Sequence, residues 1–233
     1  MPSEEAQRDA TGPLGAWLGG DEDRLRRGLP SVRVTPVTER SVSIGVATPA
    51  DAPFVRRARE AGWPVVRRRS GGSGVLHLPG DLVWSVVLPR ADPRVGPDFV
   101  RAFGRFGAGA VRFLSGRGVT GRWGAAPGLA PEYCVLSARG EVLSVGDRVL
   151  GGAAQHATAR ALLHHGTIAR RVDLDALARL FEIRDPDRLD RLTGLEELGM
   201  RASPADLADE LASALESELG PLGVDRSGRS AGA

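Results

Sequence analysis

Apolar and polar residues alternate with a period of two in several short spans of the chain, which is the spacing of half-buried β-strands. These spans cover residues 32–37, 42–46, 75–77, 82–88, 133–136, 141–145, 151–158 and 161–168. Only 5% of all residues are aromatic, so Val, Leu, Ile and Ala must supply most of the core. The pattern therefore predicts several strands around a mainly aliphatic interior.

Four other spans have the spacing or the end signals of helices. Apolar residues recur at three- and four-residue intervals over 99–114, Leu repeats over 174–180, and a short helix is predicted over 53–62. Ser203 caps a last helix, with Pro204 at its first position and Leu at every fourth residue up to 219. Strands and helices follow each other without a strict β-α-β rhythm, which favours an α+β or mixed-sheet domain over a classical dinucleotide fold.

The chain is expected to contain one folded domain between two irregular ends. Its 233 residues are 42% hydrophobic, which is enough for a substantial core. The patterned part, residues 31–219, is predicted to form this domain. Residues 1–30 are predicted to be a loose or partly helical lead-in, and the Gly-, Ser- and Arg-rich residues 220–233 a disordered tail.

Charge and cysteine content exclude several classes of function. The 31 basic and 29 acidic residues are interspersed, whereas a nucleic-acid binder concentrates positive charge. The chain has no Lys, which excludes a Walker-type phosphate loop and a Schiff-base lysine. A single cysteine, Cys134, excludes an internal disulfide and a multi-cysteine zinc site. Since no signal peptide or membrane-length apolar run is visible, we expect a soluble cytoplasmic protein without a metal site or a nucleic-acid or membrane partner.

Three segments carry residues suited to binding an anionic or activated group. Residues 67–77 combine three arginines with a run of glycines, which let the backbone approach a ligand closely. Residues 146–155 contain the pair Gly151 and Gly152. Residues 163–168 contain His164 and His165, which face opposite sides of a predicted strand, so that one of them should be buried.

Four ordered motifs resemble the lipoate–protein ligase family of the biotin/lipoate ligase superfamily. That family reads Arg-Arg-x-Ser/Thr-Gly-Gly-Gly-Ala-Val-x-His, Gly-Asp-x-x-Tyr-Ser, Gly-Arg-Lys-Ile-x-Gly-Ser-Ala-Gln and His-Gly-Ser/Thr-Ile. The counterparts here are residues 67–77, 80–85, 146–155 and 165–168, within a resemblance that runs from about 42 to 219. The resemblance implies a mixed, largely antiparallel β-sheet flanked by helices, and an enzyme of this type.

The resemblance also implies which residues form the site. Arg68, Gly71 and Gly72 are implied to line a pocket for an acyl chain or acyl-adenylate, with His77 and His165 at its edge. The full set implied to bind substrate is Arg68, Ser70, Gly71, Gly72, Ser73, His77, Gly151, Gly152, His165 and Gly166.

Two positions depart from the family pattern. Ser73 replaces the third glycine of the loop, and Arg148 stands where the family has the lysine that contacts the acyl carbonyl and phosphate. Arginine keeps the charge and can stabilise an oxyanion, but its planar fork has a different geometry. The family's early helix, with its Met-Ala-x-Asp-Glu pattern, is not recognisable.

Three functions remain open at the level of sequence. A lipoate–protein ligase would use ATP and Mg²⁺ to form lipoyl-adenylate and pass the lipoyl group to a lysine of a lipoyl carrier domain, with Arg148 as a catalytic residue. An octanoyltransferase would need no cofactor: Cys134 would take octanoate from an acyl carrier protein as a thioester, and a nearby Arg148 would favour the thiolate. The third possibility is a non-catalytic relative that binds an acyl ligand or a lipoyl domain.

Overall fold

The computed structural model of the chain describes residues 12–97, 99–130, 133–137, 141–220 and 222, without the side chains of 99–101. The strands in this part are β1 (Ser31–Pro36), β2 (Ser41–Ile44), β3 (Val65–Arg67), β4 (Gly74–His77), β5 (Leu82–Pro89), β6 (Gly121–Ala125), β7 (Glu141–Val145), β8 (Arg148–Ala157) and β9 (Ala161–Ile168). The helices are α1 (Gly12–Arg27), α2 (Pro53–Glu60), α3 (Phe99–Gly116), α4 (Leu174–Phe181), α5 (Pro186–Leu189) and α6 (Pro204–Leu219), together with a 3-10 helix, Cys134–Leu136.

The strands form two sheets. The larger sheet has the order β1-β5-β9-β8-β7-β6, and its neighbouring strands are antiparallel. The smaller sheet has the order β3-β2-β4, in which β2 is parallel to β3 and antiparallel to β4. This mixed, largely antiparallel arrangement with flanking helices confirms the predicted fold class.

Two apolar clusters hold the layers together. Helices α3 and α6 cover one face of the larger sheet, where Trp84, Phe106 and Leu211 are fully buried. Helices α2 and α4 pack beside the smaller sheet, through residues such as Phe54 and Leu177. The face of the larger sheet that the first cluster leaves uncovered is directed towards the smaller sheet. The site described below lies between these two sheets.

Most of the predicted elements are present in the structure. They could be predicted because their signals are local in the sequence. The helix end at Ser203 is one case: the serine side chain accepts a hydrogen bond from the backbone N–H of Asp206, as the capping pattern predicts. The predicted strand over 133–136 is wrong. Backbone bonds from Leu136 N to Tyr133 O and from Ser137 N to Cys134 O close tight turns there, so the segment is a 3-10 helix.

The described part of the predicted lead-in, residues 12–30, is largely helical. Residues 12–27 form α1, whose Leu14 and Leu25 are buried against the domain. Residues 1–11 and nearly all of the segment predicted as a disordered tail lie outside the described residues. The sequence also failed to predict β6 and the one-turn helix α5, because neither has enough apolar residues to show a period. None of the helices in the described part has the length and apolar character needed to cross a membrane.

Candidate active site

A cavity of about 280 Å³ lies between the two sheets and is closed on a third side by α1. The residues of the implied site that line it are Arg68, Gly71, Gly72, His77, Cys134, Gly152, His165 and Gly166. Much of the remaining wall is apolar, with Leu14, Trp17, Val75, Val83 and Phe103 among its members. A mostly apolar cavity with a few convergent polar groups is suited to a ligand that has a hydrocarbon chain and one polar end.

Arg68 supplies the positive charge of this cavity. The side chain is only 6% exposed and donates hydrogen bonds to the backbone oxygens of Gly71 (2.9 Å) and Ser73 (3.1 Å). Burial, opposed by the neighbouring Cys134, lowers the pKa of Arg68, although an arginine remains charged at neutral pH. Among the described residues no Asp or Glu forms an ion pair with it. A buried charge without a carboxylate partner favours the binding of an anion.

Gly72 is the point where the loop approaches the sulfur of Cys134. Its φ is +93°, a region that residues with a side chain rarely adopt. A Cβ atom at this position would lie 2.4 Å from Cys134 Sγ and 2.8 Å from Arg68 Nη2. The loop therefore requires glycine here for two independent reasons, its backbone conformation and the space that the two reactive groups occupy.

Cys134 is half-buried at the first residue of the 3-10 helix. The preceding residue, Tyr133, forms a parallel bridge with Gly74, which ties this segment to the smaller sheet. The Sγ atom of Cys134 lies 3.6 Å from Nη2 of Arg68. A thiol beside a guanidinium inside a cavity is a setting typical of nucleophilic cysteines.

Two histidines of the cavity wall are neutral hydrogen-bond partners. His77 Nε2 lies 2.9 Å from Ser43 Oγ, and His165 Nε2 lies 2.5 Å from Ser70 Oγ. Burial, followed by the charge of Arg68, lowers the pKa of each ring to about 3. Neither ring is an imidazolium at neutral pH, so neither can donate a proton from that form.

His164 and His165 point to opposite faces of β9, as predicted, and both are buried. His164 packs among the rings of Trp84, Phe103 and Phe106, on the side of α3. Burial holds the pKa of His164 well below its ordinary value. His164 therefore belongs to the core, whereas His165 belongs to the cavity.

Three residues of the implied binding set act from behind the cavity wall. Ser70 is fully buried and bonded to His165, and Ser73 contributes its backbone oxygen to Arg68. Gly151 packs directly on β9, since a Cβ atom there would lie 2.1 Å from the backbone oxygen of Thr167. These residues shape the site without lining it.

Arg148 is not brought to the cavity. It is the first residue of β8, pairs with Val145 beside the Gly146-Asp147 turn, and has an exposed side chain. Residues 146–155 are one residue longer than the nine-residue family motif, and counting back from Gln155 puts the motif's lysine on the buried Val149. A β-bulge accommodates the extra length, because the partners of Leu143 and Ser144 are Gly151 and Val149, which leaves Leu150 unpaired between them.

Helix α1 contributes three cavity residues that the sequence did not reveal, Leu14, Trp17 and Leu18. A signal was present: Leu18-Gly19-Gly20-Asp21-Glu22 retains the Asp-Glu pair of the family's early helix. Asp21 anchors this helix, since its Oδ1 accepts hydrogen bonds from Arg33 (2.6 Å) and Ser85 (2.7 Å). Leu18 and Gly19 in place of Met-Ala hid the pattern.

The acidic residues near the cavity are few. Glu141 lies in the wall, where its Oε2 accepts a hydrogen bond from Trp123 Nε1. Across the described ranges, no three His, Cys, Asp or Glu side chains are grouped so that they could hold a metal ion. A Mg²⁺ ion that arrives with a nucleotide needs only one or two carboxylates besides phosphate and water. Glu141 fits that limited role.

Comparison with known proteins agrees with this architecture. Octanoyltransferase LipM of Exiguobacterium sp. is 27% identical to this chain over 180 residues. The match covers 72% of this chain and 64% of that relative, so this chain spans less than two thirds of the relative's length. The structure of a lipoate-protein ligase A bound with ATP superposes with a TM-score of 0.73 at 24% identity, covering 89% of this chain and 80% of the other.

A bi-partite lipoate protein ligase of Thermoplasma acidophilum, solved in a study of this enzyme and its E2 lipoyl domain, has the same fold. It superposes with a TM-score of 0.69 at 23% identity, over 90% of this chain and 79% of the other. The model of the lipoyl protein ligase A/B catalytic domain matches residues 25–216, which include both sheets and all of the cavity residues except those of α1. The chain therefore belongs to the lipoyl protein ligase A/B catalytic domain family.

Proposed function

We propose that this chain transfers a lipoyl or octanoyl group to the ε-amine of a lysine on a lipoyl carrier domain. The observation that carries the proposal is an apolar cavity in which a thiol, Cys134, lies 3.6 Å from a buried guanidinium, Arg68. The apolar wall suits the hydrocarbon chain, and the cation suits the carbonyl oxygen that gains negative charge when it is attacked. Membership of the family, in which a curated relative is named octanoyltransferase LipM, supports the same chemistry.

One route uses Cys134 as the acyl carrier. The Cys134 thiol gives up its proton and its sulfur attacks the thioester carbonyl of an octanoylated acyl carrier protein; a bond forms between Sγ and the acyl carbon, the bond to the carrier sulfur breaks, and the carrier takes up that proton and leaves as its thiol. The lysine amine of the lipoyl domain then attacks this new thioester. A C–N bond forms, the C–S bond breaks, and a proton from the amine returns to the sulfur. This route needs no cofactor, and the position of Cys134 in the cavity favours it.

The other route uses ATP and Mg²⁺, as in a lipoate–protein ligase. The lipoate carboxylate would attack the α-phosphate and release pyrophosphate, and the lysine amine would later displace AMP from the mixed anhydride. The buried charge of Arg68, unpaired by any carboxylate in the described part of the chain, favours this route because it suits a phosphate or carboxylate group. Arg148 would have no part in the chemistry, because its side chain is exposed outside the cavity.

The test is to incubate the chain with an apo lipoyl domain and to weigh both proteins by mass spectrometry. One tube contains octanoyl acyl carrier protein, and the other contains lipoate, ATP and Mg²⁺. Octanoylation of Cys134 and of the domain, lost in Cys134→Ser, would establish the cysteine route. Lipoylation in the second tube with release of pyrophosphate, retained in Cys134→Ser, would establish the ligase route. No modified domain in either tube would refute the proposal and leave an acyl-binding relative without turnover.

The partners follow from this chemistry. They are a lipoyl carrier domain as acceptor and either free lipoate or an octanoylated acyl carrier protein as donor. The cysteine route requires Cys134 to remain a free thiol, which a reducing compartment ensures. The proposal therefore assigns the reaction to the cytoplasm.

A further inference from the structure

We propose that Ser43 is a positioning residue of this site, whose hydroxyl joins His77 to Arg68 and so holds the Arg68 guanidinium against the sulfur of Cys134. Ser43 lies on β2, outside the four family motifs, and it also lines the cavity. Its importance for acyl transfer rests on the proposed function, whereas its effect on the thiol can be measured without any acyl substrate.

A continuous chain of contacts connects the four side chains. His77 Nε2 lies 2.9 Å from Ser43 Oγ, Arg68 Nη1 donates to the same oxygen at 3.4 Å, and Arg68 Nη2 reaches Cys134 Sγ at 3.6 Å. His77, Ser43 and Arg68 are 4%, 4% and 6% exposed. Because these groups are mostly buried, contacts within the protein supply their hydrogen bonds, except that His77 Nδ1 has no partner among the described residues.

The two ends of the guanidinium are held differently. Nη2 donates to two backbone oxygens, those of Gly71 and Ser73, and contacts the sulfur. Within the described residues, Nη1 has Ser43 Oγ as its hydrogen-bond partner. Without that hydroxyl the planar group would be fixed at one end only. It could then tilt away from Cys134, and a buried N–H would be left unsatisfied.

The donors and acceptors along the chain are consistent with this role. An arginine can only donate, so the Ser43 oxygen accepts from Arg68, and its contact with His77 Nε2 uses either the hydroxyl proton or the second lone pair, according to the tautomer of the ring. Burial keeps His77 neutral because it lowers the pKa of the ring to about 3. His77 therefore holds the serine side chain in place, and the serine orients the arginine.

Ser41 provides a matched comparison on the same strand. It lies two residues before Ser43, is completely buried, and stands opposite His77 in the β2–β4 register. Its hydroxyl has no hydrogen-bond partner in the part of the chain that the structure describes. A buried serine on β2 is therefore not enough to form the bridge, and the position of Ser43 is what joins His77 to Arg68.

The experiment measures alkylation of Cys134 by iodoacetamide in the full chain as a function of pH, with Ser43→Ala, Ser43→Thr and Ser41→Ala as variants. We expect Ser43→Ala to slow alkylation at pH 7 by about three- to tenfold, the equivalent of one hydrogen bond, and to move the midpoint of the pH profile upwards. Ser43→Thr, which keeps the hydroxyl, should restore both values, and Ser41→Ala should leave both unchanged.

An unchanged profile in Ser43→Ala, or the same shift in Ser41→Ala, would overturn the inference. Thermal unfolding of each variant separates a positioning effect from a loss of fold. A merely structural role would lower the thermal stability without a shift of the pH profile that threonine restores. Alkylation requires no acyl donor or acceptor. If the chain transfers no acyl group and the Ser43→Ala shift is still observed, the proposed function fails and the positioning role stands.

Discussion

The guanidinium of Arg68 lies 3.6 Å from the sulfur of Cys134, although 66 positions separate the two residues in the chain. The contact forms because the loop between β3 and β4 folds over the 3-10 helix that begins at Cys134, and Gly72 leaves room between them. A buried cation with no carboxylate partner among the described residues lies at hydrogen-bond distance from a thiol, a setting typical of nucleophilic cysteines. This pair is the physical basis for the proposed reactivity.

Removal of the charge should make the thiol less reactive. We expect Arg68→Gln to slow alkylation of Cys134 at pH 7 by about 10- to 100-fold, the range for losing a hydrogen bond to a charged group. Arg69→Gln is the control, because Arg69 belongs to the same loop but is exposed and paired with Glu22. Equal rates in the two variants would show that Arg68 does not activate the cysteine.

Gly72→Ala should damage both the fold and the site. The φ of +93° and the short distance to Cys134 Sγ make any side chain unfavourable here, at a cost of about 1–3 kcal/mol in the free energy of unfolding. Alkylation of Cys134 should also slow, because the sulfur must move. Gly71→Ala has no atom within 4 Å of the added Cβ and should be near wild type. Urea denaturation and alkylation kinetics measure the two effects, and equal results at both glycines would contradict the loop geometry described above.

Arg148→Ala should leave the chemistry nearly unchanged. The side chain is exposed at the β7–β8 turn, and mutations on such surfaces usually alter free energies by no more than about 0.5 kcal/mol, about a twofold change in rate. Single-turnover acyl transfer to the lipoyl domain is the measurement. A large loss of transfer with an unchanged fold would mean that Arg148 reaches the reacting group in the complex.

Trp17 of α1 should limit the length of the acyl chain. Its ring forms part of the cavity wall and packs under the Arg33 guanidinium at 5.0 Å. Trp17→Ala should enlarge the cavity, so that decanoyl and dodecanoyl donors compete better with the octanoyl donor. Trp63→Ala is the control, because Trp63 stacks with Arg40 outside the cavity. Identical chain-length profiles for wild type and Trp17→Ala, measured by the mass of the acylated product, would exclude this role.

The buried histidines predict a definite pH dependence of stability. The pKa of His165 is about 3 in the folded chain and about 6.5 in an unfolded one. Between these values the unfolded state binds a proton that the folded state does not, so stability is present above pH 6.5 and is lost as the pH falls. This contributes up to about 1.4 kcal/mol per pH unit.

His165→Gln should remove the pH-dependent contribution of His165 to stability, so that the free energy of unfolding falls less steeply between pH 6 and pH 4. Urea denaturation at several pH values measures the slope. If His165→Gln kept the wild-type slope, His165 would have to be protonated in the folded chain.

The local pattern of residues was sufficient for much of the fold. Alternation in residues such as Val83 and Val87 marked the strands, and the Ser203 cap marked the start of α6, because both signals depend on neighbours within one or two turns or a few strand positions. The resemblance to the family also implied that Arg68, Gly72, His77 and His165 belong to one site, since the order and spacing of the four motifs are visible without coordinates. The prediction of a strand at Cys134 is wrong because four apolar residues in a row do not distinguish a strand from a tight turn.

Only the tertiary structure decided which side chains meet. The pairing of Arg68 with Cys134, the cavity wall supplied by Trp17 and the bridge through Ser43 join residues that are distant along the chain. Such contacts depend on how the two sheets pack against each other, and the pattern within one segment does not determine which other segment will face it. Strand register keeps Arg148 out of the cavity. An extra residue, accommodated as a bulge at Leu150, leaves Arg148 exposed at the turn and Val149 buried.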